Sequence, residues 1–376
     1  MNRPLGLIPV AISAALFAWF MTFVPEVAAG GTVLLALDWV PSLDLRLGFL
    51  VDGLSLTFAL LITGIGIAVM LHARAYQAKH RHFPRFALFM MSFMLSMLGL
   101  VLADDIILMF VFWELTTLTS YLLIGYIHDS AESRRSALQA LLVTGAGGLA
   151  FLAGLVLMVI ATGETSISAM VAQGSLTDHA LYAPILVLIL AGAFTKSAQY
   201  PFHFWLPNAM AAPTPVSAFL HSATMVKGGV YILARMHPLL SGTGGWLWAL
   251  TIAGGITAVL ASLLAIRQTD LKQVLAYTTL MALGTLTLLL GQGTGYAITA
   301  FATFLVVHSL YKAALFLLVA NIDHGTGTRD ARVLGGLGRA LPVTAVAAAL
   351  SAASMAGLPP FIGFIGKELI YKGAQE

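Results

Sequence analysis

The chain has no cysteine, which excludes disulfides, thiol nucleophiles and cysteine-held metals or clusters. Charge is almost as scarce. Only 9% of the 376 residues are Asp, Glu, Lys or Arg, where a soluble domain carries roughly a quarter. The formal net charge is +3 and the basic residues are dispersed, so no nucleic-acid surface is expected. No low-complexity linker and no soluble domain interrupts the apolar stretches. What the chain does have is apolar bulk: 59% hydrophobic residues and a mean hydropathy of +0.92. Such a chain lacks the polar groups to cover itself in water, so the lipid bilayer is the expected solvent. The first 24 residues hold one arginine and a long apolar run without a small-residue cleavage site. They read as a retained membrane helix rather than a signal peptide.

A spanning helix needs about 20 mostly apolar residues. Eleven segments qualify: 4–24, 49–72, 84–102, 104–127, 136–162, 184–208, 216–236, 245–267, 271–291, 295–321 and 341–372. The expected fold is therefore an all-α polytopic membrane protein with about eleven spans. With the N-terminus inside, one side carries Arg3, Arg74, Lys79, Arg81, Arg85, Arg134, Arg135, Arg267, Lys272, Arg329, Arg332 and Arg339. The other carries only Arg46 and Arg235. This asymmetry predicts a cytoplasmic N-terminus.

Five lysines fall inside predicted spans: Lys196, Lys227, Lys312, Lys367 and Lys372. Lys372, near a helix end, is expected to snorkel to the interface. Glu114 lies about 15 Å into its segment at 1.5 Å per residue. A charge at bilayer depth costs roughly 2.5–3.5 kcal/mol on insertion scales, so these residues call for a function or a partner. Arginine keeps its proton, whereas a desolvated lysine releases one and regains it when a carboxylate approaches. Buried lysines without buried arginines thus suit proton relay better than fixed ion pairing. His221 lies six residues before Lys227, and His308 lies four before Lys312 and shares its helix face. Lysine is a poor metal ligand and no carboxylate clusters nearby, so neither a metal nor a catalytic group is expected there.

Two spans look interrupted. Pro201 follows Lys196 by five residues, and Pro359-Pro360 precedes Gly363, Gly366 and Lys367. Proline removes a helical donor, and broken helices at the midplane are a transporter device. Two interrupted spans with one lysine each suggest an internal repeat.

Trp113-Glu114-Leu115-Thr116, Thr195-Lys196-Ser197-Ala198-Gln199, Phe204-Trp205-Leu206-Pro207, His221-Ser222-Ala223-Thr224-Met225-Val226-Lys227 and Thr269-Asp270-Leu271-Lys272 occur in this order. Asp52-Gly53-Leu54-Ser55-Leu56 precedes them, and Leu358-Pro359-Pro360 with Lys367-Glu368 follows. From about residue 45 onward the chain resembles the antiporter-like subunits shared by respiratory complex I and the Mrp cation/proton antiporters. The wording around Glu114 and Lys227 is most similar to the large A-type component of the Mrp antiporters. The resemblance implies two inverted five-helix repeats, 84–236 and 245–376, after N-terminal helices in 1–83, with the second repeat incomplete. It implies Glu114 and Lys196 as a first half-channel pair. Lys227, His221, His308 and Lys312 would form a central axis, with Lys367 as the exit-side lysine. It further implies a secondary transporter subunit of a hetero-oligomeric complex in the bacterial inner membrane, exchanging H+ for Na+ or K+ and holding no cofactor. The alternative is a non-redox proton-pumping subunit of complex I or a related membrane-bound hydrogenase. Phe304 stands where complex I relatives often have a second histidine. One further N-terminal helix and a last helix of the second repeat are expected beyond this sequence, as of a fragment.

Overall fold

A computed structural model describes residues 5–40, 45–76 and 83–373. Arg3, Lys79 and Arg81, which entered the charge asymmetry, lie outside the described residues. The first span is α1 (Ile8–Met21) continued by the short α2 (Val24–Ala28). An antiparallel hairpin follows, β1 (Val33–Val40) paired with β2 (Leu45–Val51). Then come α3 (Gly53–Tyr76), α4 (Phe83–Leu102), α5 (Ile106–Ile124), α6 (Ala131–Thr162) and the short α7 (Ile167–Gln173). The remaining helices are α8 (Tyr182–Lys196), α9 (Trp205–Asn208), α10 (Thr214–Ser222), α11 (Lys227–Leu240), α12 (Gly244–Ile266), α13 (Leu271–Gln292), α14 (Gly295–Thr326), α15 (Leu337–Ala340), α16 (Pro342–Ala356) and α17 (Ile362–Gly373).

Among the described residues eight spans are long and apolar enough to cross a membrane as one element. The other three expected spans are each split: α8 and α9, α10 and α11, α16 and α17. Two of these breaks fall at the prolines. The third was not expected, because 216–236 reads as one apolar run. It opens at Ala223–Val226 because hydroxyls compete for the helical carbonyls. Ser222 Oγ donates to Ala218 O, Thr224 Oγ1 donates to Phe219 O at 2.6 Å, and the Val226 amide reaches back to Leu220 O at 3.5 Å. His221 and Lys227 therefore sit on opposite sides of a break, not on one helix.

Several local structures occur twice. Asp105 caps α5 and Asp270 caps α13, each accepting from the second and third amides beyond it. The Ile106 amide donates to Thr165 O at 3.0 Å, and the Leu271 amide donates to Arg329 O at 3.0 Å. In return Ile167 N donates to Asp104 O at 2.7 Å, and Ala331 N to Thr269 O at 2.8 Å. Helices α6 and α14 each run 32 residues and end on a left-handed glycine, Gly163 or Gly327.

The core lies where α5, α6, α8, α10, α11, α13 and α14 meet, and α12, packed along α13, presents Ile252, Val259, Leu263 and Ile266 outward. An outward apolar face is what hydrocarbon solvates. Glycines bring α6 and α8 together: a Cβ at Gly192 would overlap Phe151, and one at Gly147 would overlap Thr195.

Candidate functional site

Lys196 is the last residue of α8 and is fully buried. Its Nζ donates to three atoms of α5: Trp113 O at 2.9 Å, Thr116 Oγ1 at 2.6 Å and Thr117 Oγ1 at 2.9 Å. It also lies 4.4 Å from the centroid of the Trp113 ring. An ammonium has three N–H donors, and here each has an oxygen.

Glu114 is next to Trp113 in sequence and within Coulomb range of Lys196, yet no hydrogen bond joins the two side chains. Its side chain is half-buried and points at Gly148 of α6, where any Cβ would overlap Oε1. That Oε1 and Trp113 Nε1 are both buried without a partner among the described residues. The pair expected from sequence is thus adjacent but not in contact. The lysine is held by neutral oxygens and the carboxylate acts on it through space.

The same cradle recurs twice. Lys227 opens α11, and its Nζ donates to Leu305 O at 3.2 Å and to Ser309 Oγ on α14. Lys312 of α14 donates to Leu275 O at 3.3 Å and Thr278 Oγ1 at 2.6 Å on α13. In each case the hydroxyl also donates to the very carbonyl that receives the lysine. Thr116 and Thr117 donate to Trp113 O, Ser309 to Leu305 O and Thr278 to Leu275 O. The amine and the hydroxyl three or four residues along thus share one helical carbonyl. Among the described residues Lys227 and Lys312 have two acceptors for three donors, one fewer than Lys196.

His308 lies within Coulomb range of both Lys227 and Lys312, and both its ring nitrogens are buried without partners among the described residues. It packs against Phe304 and Tyr311, with centroids 5.9 and 5.4 Å away. His221 is likewise buried and unpartnered among those residues, facing Phe316. Lys367 is different: it is partly exposed, and its Nζ donates to Ala356 O, the end of α16, at 2.5 Å. No hydrogen bond links it to Lys312 or His308.

Sequence reasoning counted Lys272 with the cytoplasmic ends. The structure buries it, with Nζ donating to Met210 O at 2.7 Å and Ala212 O at 2.5 Å. Lys272 lies within Coulomb range of His221 and lines a cavity of about 380 Å³. Tyr76, Glu132, Asp270, Asp323 and Arg329 share that cavity, which opens at the basic end of the bundle. Arg329 is paired there with Asp270 at 3.0 Å and Asp323 at 3.8 Å. The hydroxyls that hold the lysines were also missed, although Trp113-x-x-Thr116-Thr117 is the kind of spacing that could have revealed them.

Residues 103–376, well over half of the chain, match the family described as NADH:quinone oxidoreductase/Mrp antiporter, TM. The chain belongs to this antiporter-like membrane family. Residues 39–87 match the N-terminus of complex I chain 5, as the family describes it. The A/B subunit of a probable K(+)/H(+) antiporter of Rhizobium meliloti is 47% identical over 367 residues, covering 97% of this chain and 37% of the relative. The A subunit of a Na(+)/H(+) antiporter of Alkalihalophilus pseudofirmus is 44% identical over 382 residues, covering 97% and 48%. This antiporter-like chain therefore spans less than half the length of those two relatives. A chain of the Mrp complex from Dietzia sp. DQ12-45-1b superposes with a TM-score of 0.93 at 40% identity, covering 99% of this chain and 41% of that one. An archaeal membrane-bound sulfane sulfur reductase shares the fold alone, with a TM-score of 0.88 at 21% identity over all of this chain and 77% of that one.

Proposed function

We propose that this chain is the proton-translocating part of a multi-subunit monovalent cation/proton antiporter that exchanges H+ for Na+ or K+. The observation that carries the reading is the row of fully buried lysines whose hydrogen bonds, among the described residues, go to neutral carbonyl and hydroxyl oxygens and to no carboxylate. A lysine locked to a carboxylate keeps its proton. One cradled by oxygens accommodates both protonation states, because a hydroxyl accepts from the ammonium or donates to the amine. Lys227 and Lys312 face each other's field, so a proton on one disfavours a proton on the other. Protonated Lys196 is favoured by ionised Glu114, and neutralising Glu114 releases that proton toward Lys227, His308 and Lys312. Lys367, on α17 with its amine against the end of α16, would stand on the exit side, outside this row of buried amines.

The reading places repeats over 84–236 and 245–376 behind N-terminal helices in 1–83, with opposite orientation because five spans separate their starts. The doubled caps and corner hydrogen bonds support it. A cytoplasmic N-terminus follows from the charge asymmetry, the bacterial relatives favour a bacterial inner membrane, and the partners would be the other subunits of such a complex. Relatives named as antiporter subunits at 41–47% identity favour this over a proton-pumping component of a quinone reductase.

The test is cation/proton exchange in everted vesicles carrying the assembled complex, with Glu114→Ala and Lys196→Ala. Exchange should collapse in both without any quinone substrate present. Near-normal exchange in either variant, or exchange that requires quinone reduction, sinks the assignment.

A further inference from the structure

We propose that a second cavity, at the end of the bundle opposite Lys272, is a water-filled access route to Lys227 with His237 as its proton relay. This rests on the proton-moving reading above. The cavity measures about 350 Å³ and lies among α3, α11, α13 and α14. Its rim includes the exposed Gly53, Pro238 and Ala302, and Leu305 is among its buried lining residues. Leu305 supplies the carbonyl that receives Lys227 Nζ at 3.2 Å. The cavity therefore joins solvent to the residue that holds a buried amine, and that amine has a donor to spare.

Two polar features on the wall support a route. His237 Nε2 is buried without a partner among the described residues, while Nδ1 lies 3.5 Å from Ser241 Oγ at the helix end. Pro238 has no N–H, so the Ala234 carbonyl one turn back lacks its helical donor. Ala234 also lines the cavity. The remaining wall is mostly apolar, including Leu54, Ile298 and Phe301. At roughly 30 Å³ per water the volume has room for about ten, but an apolar wall keeps water only beside polar partners, so the file forms along His237 and the free Ala234 carbonyl and empties by dewetting elsewhere. The neighbouring groove along α3 and α14, about 680 Å³, has no titratable residue among those described on its walls and is the better seat for lipid chains.

Among the described residues His237 is the only titratable one lining the route, and α13 and α14 contribute none. The nearest charges, Asp52 and Arg235, are occupied with each other at 2.5 and 3.0 Å. In one transfer Lys227 gives a proton to the first water and becomes a neutral amine. The file delivers one proton to His237 Nε2, and the imidazole releases its Nδ1 proton toward Ser241 and bulk water. One proton enters and one leaves, and the reverse sequence loads Lys227.

These 376 residues hold no cysteine, so in a complex whose other cysteines have been replaced by serine, thiol labelling reports only the introduced sites. Ala234→Cys and Ala302→Cys, in the full-length complex in sealed vesicles of each orientation, are treated with a charged, membrane-impermeant methanethiosulfonate. Both should label only from the side opposite Lys272, and labelling Ala234→Cys should block exchange. His237→Gln, which keeps a polar side chain but cannot titrate, should slow exchange roughly tenfold without altering labelling. Labelling only by a lipophilic maleimide would mean an acyl-chain groove and overturn the proposal. So would labelling only from the Lys272 side, or exchange by His237→Gln within about twofold of the parent. Labelling reads access without transport, so an inactive parent would count against the antiporter reading while the labelling still judges the route.

Discussion

At the first interrupted span, α8 stops at Lys196 and Ala198 takes a left-handed φ of 48°; at the second, α16 stops at Ala356 and Gly357 takes 72°. Aligning Pro201 with Pro360 superimposes the rest. Gln199 N reaches Phe194 O at 2.8 Å and Leu358 N reaches Ala353 O at 3.1 Å, while Ala198 N and Gly357 N reach Thr195 O and Ser354 O. Both ends are Schellman motifs, in which one left-handed residue lets the chain turn back on the helix carbonyls. The lysines do not align. Lys196 corresponds to Met355, and Lys367 lies beyond the break.

That difference assigns the lysines different work. At the first break Trp205 Nε1 caps Thr195 O at 2.9 Å, which leaves Lys196 free to reach α5. At the second, Lys367 itself caps Ala356 O, where the helix dipole favours a cation. One lysine faces the interior and is held by a neighbouring helix, and the other closes the end of its own hairpin. Two similar breaks thus present one lysine suited to carrying a proton and one suited to holding the fold.

The largest expected contrast is functional. Lys196→Ala should abolish vesicle exchange, whereas Lys367→Ala should leave it within a few-fold of the parent, roughly the effect of one lost cap. Equal losses would break the comparison. Next, Thr116→Val with Thr117→Val strips two of three acceptors from Lys196, at about 1–3 kcal/mol per unsatisfied group. Exchange should fall at least tenfold and its pH profile should move, while Thr116→Ser with Thr117→Ser should behave like the parent; an unmoved profile in the valine variant would show that the cradle is passive.

The breaks themselves differ more quietly. Gly357→Ala should cost about 1–2 kcal/mol in thermal unfolding, because alanine resists a left-handed φ. Its Cβ would also overlap the Lys367 side chain. Ala198→Gly relieves the same strain at the first break and should change stability by less than about 1 kcal/mol. The smallest effect lies outside the spans, at Asp52. Burial pushes its carboxyl up, but hydrogen bonds from Arg235 and Ser55 and the Arg235 charge more than offset this and hold it below the usual range. A lowered carboxylate stabilises the fold above its unfolded value and loses that contribution as pH falls through the folded one. Melting curves between pH 6 and about 3 should flatten in Asp52→Asn; an unchanged acid slope would remove the pair from the account.

Much of the site was legible because bilayer burial makes a charge conspicuous: Glu114, Lys196, Lys227, Lys312 and both histidines stand out in apolar runs. The breaks at Pro201 and Pro360 were legible for the same reason, since proline removes a donor wherever it falls. The break between His221 and Lys227 was not, because Ser222 and Thr224 act through the carbonyls they capture rather than through a missing N–H. Lys272 was misplaced because its position at a helix start resembles any basic flank, and only its contacts with Met210 O and Ala212 O reveal the burial.

By itself the sequence determined the solvent, the apolar runs, which titratable residues stand inside them and the family to which they belong, because those follow from composition and local spacing. Tertiary structure alone decided what each lysine touches. Lys196 and Trp113 are 83 positions apart, Lys227 and Ser309 82, and Lys312 and Thr278 34. Each cradle is a side chain from one helix meeting the carbonyl and hydroxyl of another, and no periodicity within either helix encodes which partner packs against it.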